Sequence, residues 1–379
     1  SSRRRHTRLL TVTGVQTCAL PICGLIFISL PQADAAIIAK PMVQLAQVDS
    51  AATGILVAND QIAVFGNREK NGFLQFISGA TVELSCGVES FVSAGATDSD
   101  GNFYLVGAAA NPIVGTLPPI SGVLNPDNVI PDPVSSNKSD ANTLCYWKID
   151  RNGQVLDTQT YNLSSAVIPS ALLINQGVVL VSGYLYANPG VKSFILNWGS
   201  EPIFLGKSST LIFGLIKSSD NSLMVVGQSG EKLLDKKLRG KIDGILAKFT
   251  NGKLVLVQRS SDVNSNRAWR SSTNSLLLGG YSNQSAVITK FTSNFQPIWS
   301  DRYPSTGSAL TAANSKGQFG AFVSNGAVKA LPSWKRKNSI LLLTFDKKGG
   351  ISAANYIAGN RIDGLVASNN LGQIGRAHV

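Results

Sequence analysis

The stretch at residues 221–227, Asn-Ser-Leu-Met-Val-Val-Gly, constrains the fold of this 379-residue chain more than any other. It is a short apolar run with a turn signal before it and a glycine after it. The phrase recurs at 102–107, 177–183 and 274–279, and more loosely at 61–66 and 317–323. A second phrase alternates with it, a strand that ends in a polar turn, at 141–153, 242–252, 285–294 and 338–349, with weaker copies at 71–79 and 192–199. Each second phrase leads into another strand, as at 253–259, and each first phrase follows one, as at 211–217. The unit therefore has four strands. Measured from Gly66 through Gly107, Gly183, Gly227 and Gly279 to Val323, the steps are 41, 76, 44, 52 and 44 residues, the long one being a unit plus an insertion at 108–140. A period of about 40–50 residues with four strands per unit predicts an all-β chain folded as a β-propeller.

The physics agrees with that reading. A single four-stranded sheet with two apolar faces cannot hide both, whereas units stacked around an axis bury each face against a neighbour. The glycine that closes each first phrase supplies either a special backbone conformation or a close approach that a Cβ would obstruct. Six four-stranded blades are countable. Residues 361–368 (RIDGLVAS) read as the first strand of a truncated seventh, and 43–48 as a strand that would complete the last blade and close the ring.

Both chain ends look foreign to this pattern. Residues 1–22 carry SRRRHTRLLTVTGVQTCALPI, which resembles the translation of a sequencing adapter, and 374–379 (IGRAHV) resemble that of its partner. They are set aside as targeting and cloning segments are. The propeller then spans 36–373 and is expected to continue past its C-terminal end. Both histidines, His6 and His378, lie in these ends, as do five of the 34 basic residues, which lowers the net charge from +12 to +7. Residues 23–35 contain an apolar run, GLIFISL, followed by Ala-Asp-Ala, the rear of a signal peptide cleaved before Ala36. This predicts a secreted or cell-surface protein. No later apolar run reaches the ~20 residues of a membrane-spanning helix. Cys86 and Cys145 remain after these exclusions. In an oxidising compartment they form a disulfide; otherwise they are two buried thiols.

The segments IDGILAKFTNGKLVLVQR (242–259) and SAVITKFTSNFQPIWSDRYPSTG (285–307) resemble the β-propeller repeats of secreted bacterial proteins. Those repeats run as a strand ending in glycine, an Ala-Phe-Leu-x-Lys-like strand, then Asp-x-x-Gly and an outer strand bearing Trp or Tyr. The likeness covers about residues 59–362. It implies the fold and export, and it is silent on activity.

Function is expected where the loops are long. In such a blade the loop between the second and third strands opens on the same face as the connection between blades. The long segments at 108–140, 184–190, 229–241 and 324–337 all take that position, while the other hairpins are tight. Loops on a rigid scaffold carry binding more often than the scaffold does. Two of these loops are basic: one holds Lys236, Lys237 and Arg239, the other Trp334, Lys335, Arg336 and Lys337. They suit an anionic polymer such as a wall polysaccharide, with Trp334 either stacking a sugar ring or anchoring its loop; the alternative is two solvated loops with no ligand. Nucleic acid is the less favoured partner, since no aromatics interleave the basic residues. No cofactor and no metal is expected: Asp98 and Asp100 have the spacing of an ordinary Asp-Gly turn, and two cysteines cannot complete a zinc site. Without histidine in 7–377, serine and cysteine triads are excluded there. The leading reading is thus an exported, non-catalytic propeller that binds a protein or anionic glycan through one face. The alternatives are a carboxylate-dependent polysaccharide hydrolase or lyase, and a spacer domain of a larger surface protein.

Overall fold

The computed structural model describes residues 37–42, 51–110, 141–367 and 374–377, apart from 60, 88, 164, 188–189, 219, 221 and 262–264 within those spans. The candidate signal-peptide segment at 23–35, most of the 108–140 insertion and the candidate strand at 43–48 lie outside the described residues. The chain forms six antiparallel four-stranded sheets in sequence order, the blades of a six-bladed β-propeller. Blade one is Ala51–Ala58, Gln61–Arg68, Asn71–Phe76 and Thr81–Leu84; blade two is Glu89–Thr97, Phe103–Ala110, Thr143–Ile149 and Val155–Asn162. Blade three is Val167–Asn175, Val178–Ala187, Gly190–Asn197 and Ile203–Leu205; blade four is Thr210–Lys217, Leu223–Ser229, Asp243–Thr250 and Lys253–Ser260. Blade five is Arg267–Ser272, Leu277–Ser282, Ser285–Phe291 and Pro297–Pro304; blade six is Leu310–Asn314, Gly317–Asn325, Lys337–Phe345 and Ile351–Ala358. Within each blade the first strand is innermost and the fourth outermost.

Period-two alternation explains why the blades stack. In the second strand of blade two, Phe103 and Leu105 pack into a core shared with blade one, while Tyr104 and Val106 pack into one shared with blade three. Val225 of blade four faces blade three, and Met224 and Val226 face blade five. Leu278 and Val287 of blade five join blade four; Leu277, Ala286 and Ile288 join blade six. Each such side chain is worth about 1.5–3 kcal/mol when fully buried, and it is buried only because the next blade is present. Cys86, just after blade one, is bonded to Cys145 in blade two, with 6.2 Å between their Cα atoms.

The recurrent glycine has one structural reason. In blades one to five the innermost strand carries a β-bulge, at Thr53, Ser93, Ser170, Phe213 and Arg270. Opposite each bulge sits Gly66, Gly107, Gly183, Gly227 or Gly280, where a Cβ would collide with the carbonyl oxygen of Ala51, Phe91, Ile168, Leu211 or Ala268. Close approach is therefore the requirement, since none of these five has positive φ. In blade five the equivalent residue is Gly280, one later than the sequence phrase suggests. Gly279 meets Ala309 of the next blade instead. In blade six the innermost strand pairs in unbroken register, Leu310 with Ala321, so it has no bulge and needs no glycine there.

The tight turns at the opposite end are local hydrogen-bonding devices. Asp150 Oδ1 accepts from the backbone N–H groups of Asn152 and Gln154, and Gly153 takes φ 87°. Asp346 and Gly349 repeat the arrangement. Asp98 does the same for Asp100 and Asn102, and its other oxygen accepts from Asn102 and Tyr104. It is a turn carboxylate, and among the described residues no cluster of three or more metal-ligating side chains occurs.

Two further elements border blade six. Lys40–Pro41 pairs in parallel with Ile351–Ala358, so it is a fifth strand on a blade already complete. Gly364–Ala367 pairs with Ile374–Ala377 and lies between the innermost strands of blades six and one. Leu365 and Ala367 pack on blade six, while Val366 packs on blade one. None of the described helices is long and apolar enough to cross a membrane.

Replacing Gly227 by Ala forces a methyl group against the Leu211 carbonyl and is expected to destabilise the fold by about 2–3 kcal/mol. Gly307→Ala, at an open position without positive φ, is expected to stay within about 0.5 kcal/mol of the parent. Urea unfolding of the two variants checks the pair; equal stabilities would contradict the bulge account.

Candidate functional site

The connections between blades and the second-to-third-strand loops share one face, and backbone hydrogen bonds tie them together. Ser90 N–H donates to Lys70 O, Val191 to Ser208, Gly230 to Ser209, Lys241 to Ser265 and Thr306 to Val323. The loops at 230–242 and 326–336 are on this face. The segment at 184–190 is not a long loop: the strands continue until Ala187 pairs with Gly190. The alternation Tyr184, Leu185, Tyr186 keeps this stretch extended, with Leu185 in the core and Tyr186 outside.

The blade-four loop is pinned at both feet. Glu231 sits in a nest of three consecutive backbone N–H groups. Those of Lys207, Ser208 and Ser209 donate at 2.9, 3.2 and 3.0 Å, and the Thr210 hydroxyl donates at 2.7 Å. Partial burial works against its charge. The hydrogen bonds from Ser209, Thr210, Ser208 and Lys207 outweigh that and hold its carboxyl below the ordinary value. At the other foot Asp243 accepts from the backbone of Arg239 and Gly240, at 2.9 and 2.8 Å. It also pairs with Arg259 at 3.2 Å, both side chains being almost fully buried at 0% and 3% exposure. Arg259 reaches on to the Glu231 carbonyl, which links the two feet. Leu233 plugs the loop into the core, and Lys236 N–H closes a turn onto its carbonyl.

The blade-six loop is built on the same plan. Val328, Leu331 and Trp334 are buried at intervals of three, with turns closed from Leu331 to Val328 and from Trp334 to Leu331. Trp334 is only 4% exposed. Its indole N–H donates to the Ser324 hydroxyl at 2.8 Å, and its ring meets Tyr356 edge-on at 5.3 Å. It anchors the loop and offers no face to a ligand, so it leaves the set of candidate contact residues. The sequence could not separate these roles because a tryptophan among lysines reads alike in both.

With both loops pinned, their cations stand outward. Lys236, Lys237, Arg239, Lys335, Arg336 and Lys337 are exposed. None of them forms an ion pair with a carboxylate among the described residues; Lys232, by contrast, pairs with Asp235 at 3.8 Å. Arg336 lies over the Tyr356 ring at 4.4 Å.

The two basic loops belong to blades four and six and are separated by blade five. Blade five has a tight turn at Asn283 and Gln284, where its neighbours have long loops. Above that turn lies a cleft of about 620 Å³ lined by Tyr281, Asn283, Gln284, Thr306, Ser308 and Asn325, among others. It lies between that turn, the connection from blade five to blade six at 305–308, and Asn325 at the end of blade six's second strand. Lys241 and Ile242 bond to Ser265 and Arg267 at the foot of the blade-four loop, and Asn266 and Asn283 bond to each other at 3.0 and 3.1 Å. Asn325 opens the blade-six loop. Sequence reasoning passed over these lining residues, although one short turn between two long basic loops was a readable signal. The lining is amide, hydroxyl and phenol, so the cleft can hydrogen-bond a polyhydroxylated ligand, while the exposed cations on the loops of blades four and six can attract negative charge to the same face.

Trp334→Ala is expected to cost about 3–5 kcal/mol by leaving a cavity, while Lys335→Ser is expected to change stability by less than about 0.5 kcal/mol. Denaturant midpoints compare them; a neutral Trp334→Ala would return that ring to the surface. Glu231 gives a pH signature. Its folded value is depressed from 4.5, so its contribution is complete above the unfolded value and is lost as pH falls through the folded one. The parent should therefore lose more stability than Glu231→Gln between about pH 6 and about pH 3. Parallel pH dependences would refute the nest.

No protein-family model matches the chain, and no curated protein matches it. Among solved structures, virginiamycin B lyase from Staphylococcus aureus aligns at 12% identity with a TM-score of 0.51, over 89% of this chain and 98% of that one. A streptogramin B lyase aligns at 12% identity and a TM-score of 0.52, over 88% and 92%. At such identity the likeness shows the fold alone: the chain is similar to these lyases in being a β-propeller.

Proposed function

We propose that this protein is an exported, non-catalytic β-propeller that binds an anionic glycan through the face carrying the long second-to-third-strand loops. One observation carries the reading: a polar cleft over blade five shares its face with pinned loops on blades four and six, whose Lys236, Lys237, Arg239, Lys335, Arg336 and Lys337 form no ion pair with a carboxylate among the described residues. Neutral hydrogen-bonding groups fit sugar hydroxyls, and Lys236, Lys237, Arg239, Lys335, Arg336 and Lys337 fit the polymer's charge. Pinning supports binding because little loop entropy is lost when a ligand arrives. Export draws support from the bonded Cys86–Cys145 pair and from the likeness to secreted propeller repeats. A protein partner with an acidic surface is the other outcome of the same chemistry.

A second reading, a carboxylate-dependent hydrolase or lyase, draws on the fold shared with the two lyases. A histidine-to-alanine variant of virginiamycin B lyase is described as catalytically inactive, and residues 7–377 here contain no histidine. On the elaborated face, Glu231 and Asp243 are occupied by backbone N–H groups and Arg259. The non-catalytic reading is therefore preferred. Turnover of any polysaccharide by the protein would reverse that order.

We also infer that Gly364–Ala367 is the innermost strand of a seventh blade. Support comes from its two packed sides, one on each neighbouring blade. A longer reading frame without further strands would remove this inference.

The test of the main reading is a fourfold variant, Lys236→Ser, Lys237→Ser, Lys335→Ser and Arg336→Ser. Retention on an anionic-polymer column is expected to weaken about tenfold or more at low salt and to lose most of its salt dependence. Unchanged retention would reject the basic rim.

A further inference from the structure

In blades one to five the bulged residue of the innermost strand is half-buried on the inner wall of the ring. In blades one to three it is a small hydroxyl residue with a structural duty. Thr53 accepts from Asn67, Ser93 donates to Pro169 O at 2.6 Å, and Ser170 donates to Ile212 O at 2.5 Å. In the last two cases the bond reaches the next blade. Blades four and five abandon that duty and place Phe213 and Arg270 there instead. The Arg270 guanidinium carbon lies 3.9 Å from the Phe213 ring centroid and 5.8 Å from that of Tyr281. No carboxylate pairs with Arg270 among the described residues. It is also close enough to Tyr184 of blade three to act on its hydroxyl: burial and Tyr186 raise that phenol above its ordinary value, and Arg270 pulls against them. Tyr281 in turn lines the cleft over blade five, so this residue is common to the cleft and to the inner wall.

A guanidinium stacked by its face on an aromatic ring keeps its N–H edge free, and that edge matches a planar carboxylate with two parallel hydrogen bonds. Flanking rings present flat apolar surface of the kind that packs on the C–H face of a sugar. On the next interface position, the side-chain oxygen of Gln228 is buried without a donor, on the same side of its strand as Met224 and Val226, which face blade five.

We propose that Arg270, stacked on Phe213 and bordered by Tyr281, forms the innermost subsite of the cleft and takes the carboxylate of an acidic sugar unit. The proposal rests on the glycan-binding reading and narrows it from anionic polymers in general to polyuronates. The rim cations supply attraction to any polyanion. Arg270 selects a carboxylate carried on a sugar ring.

Three probes separate the two ideas: an oligogalacturonate, a neutral maltooligosaccharide of the same length, and polyphosphate. Titration calorimetry with the parent is expected to give binding of the oligogalacturonate and none of the neutral chain. Arg270→Gln should weaken oligogalacturonate binding about tenfold, a loss expected of a charged hydrogen-bonded pair, and should weaken polyphosphate binding far less. The fourfold rim variant should weaken both. If Arg270→Gln bound the oligogalacturonate like the parent while the rim variant lost it, the subsite would be rejected and the rim kept. Binding of polyphosphate without the uronate would have the same meaning. Failure of the parent to bind either polyanion would reject both. Should Arg270→Gln melt early, Arg270→Lys replaces it, keeping the charge but not the fork. Parent-like uronate affinity in that variant would also reject the subsite.

Discussion

Every blade of this protein is a sheet with two oily sides, and the fold depends on covering both. Strand alternation sends Phe103 and Leu105 one way and Tyr104 and Val106 the other, so neither side can be sacrificed to solvent. Antiparallel sheets often leave one face wet; these cannot, and a ring of neighbours is the arrangement that satisfies them all. The strand Gly364–Ala367 obeys the same rule in miniature, with Leu365 and Ala367 on one neighbour and Val366 on the other. Near the axis the blades crowd, and the geometry there is set by backbone. In blades one to five a bulge turns the innermost strand, and the strand beside it comes so close that only glycine fits.

That crowding has a consequence for chemistry. In blades one to five the bulge lifts one side chain out of the sheet pairing and leaves it on the inner wall. Where it is Ser93 or Ser170, the side chain bonds to the next blade's backbone. Where it is Phe213 or Arg270, the same backbone position is freed for contact with something else. The difference lies in two residues on an unchanged scaffold, as repeat architectures allow: each unit needs its interfaces, and positions outside the interfaces can diverge.

The rim follows a similar logic. Loops between second and third strands lie beyond the blade interfaces, so their length is not limited by packing. Yet these two are not loose. Leu233 in one, and Val328, Leu331 and Trp334 in the other, reach back into the core, while Glu231, Asp243 and Arg259 tie the feet of the first. Apolar anchors and buried charge hold the loops, and exposed lysines are what remains. In one dimension a tryptophan beside three basic residues reads equally as a ligand contact or as a loop anchor. In three, its spacing from Leu331 and Val328 places it underneath. The segment at 184–190 reversed in the same manner: its aromatic alternation is that of a strand, and pairing with blade three's next strand consumed it.

The four-strand unit, its period and the elaborated face are local or periodic properties, carried by apolar alternation, turn residues and loop length, and so residue order alone determined them. The register did not follow. Whether Gly279 or Gly280 meets the neighbouring carbonyl depends on where the bulge falls in another strand, which no phrase in blade five records. The cleft over blade five and the stack of Arg270 on Phe213 were likewise decided only in the folded ring. Their residues come from different blades, and the distance between blades is set by packing that no single repeat contains.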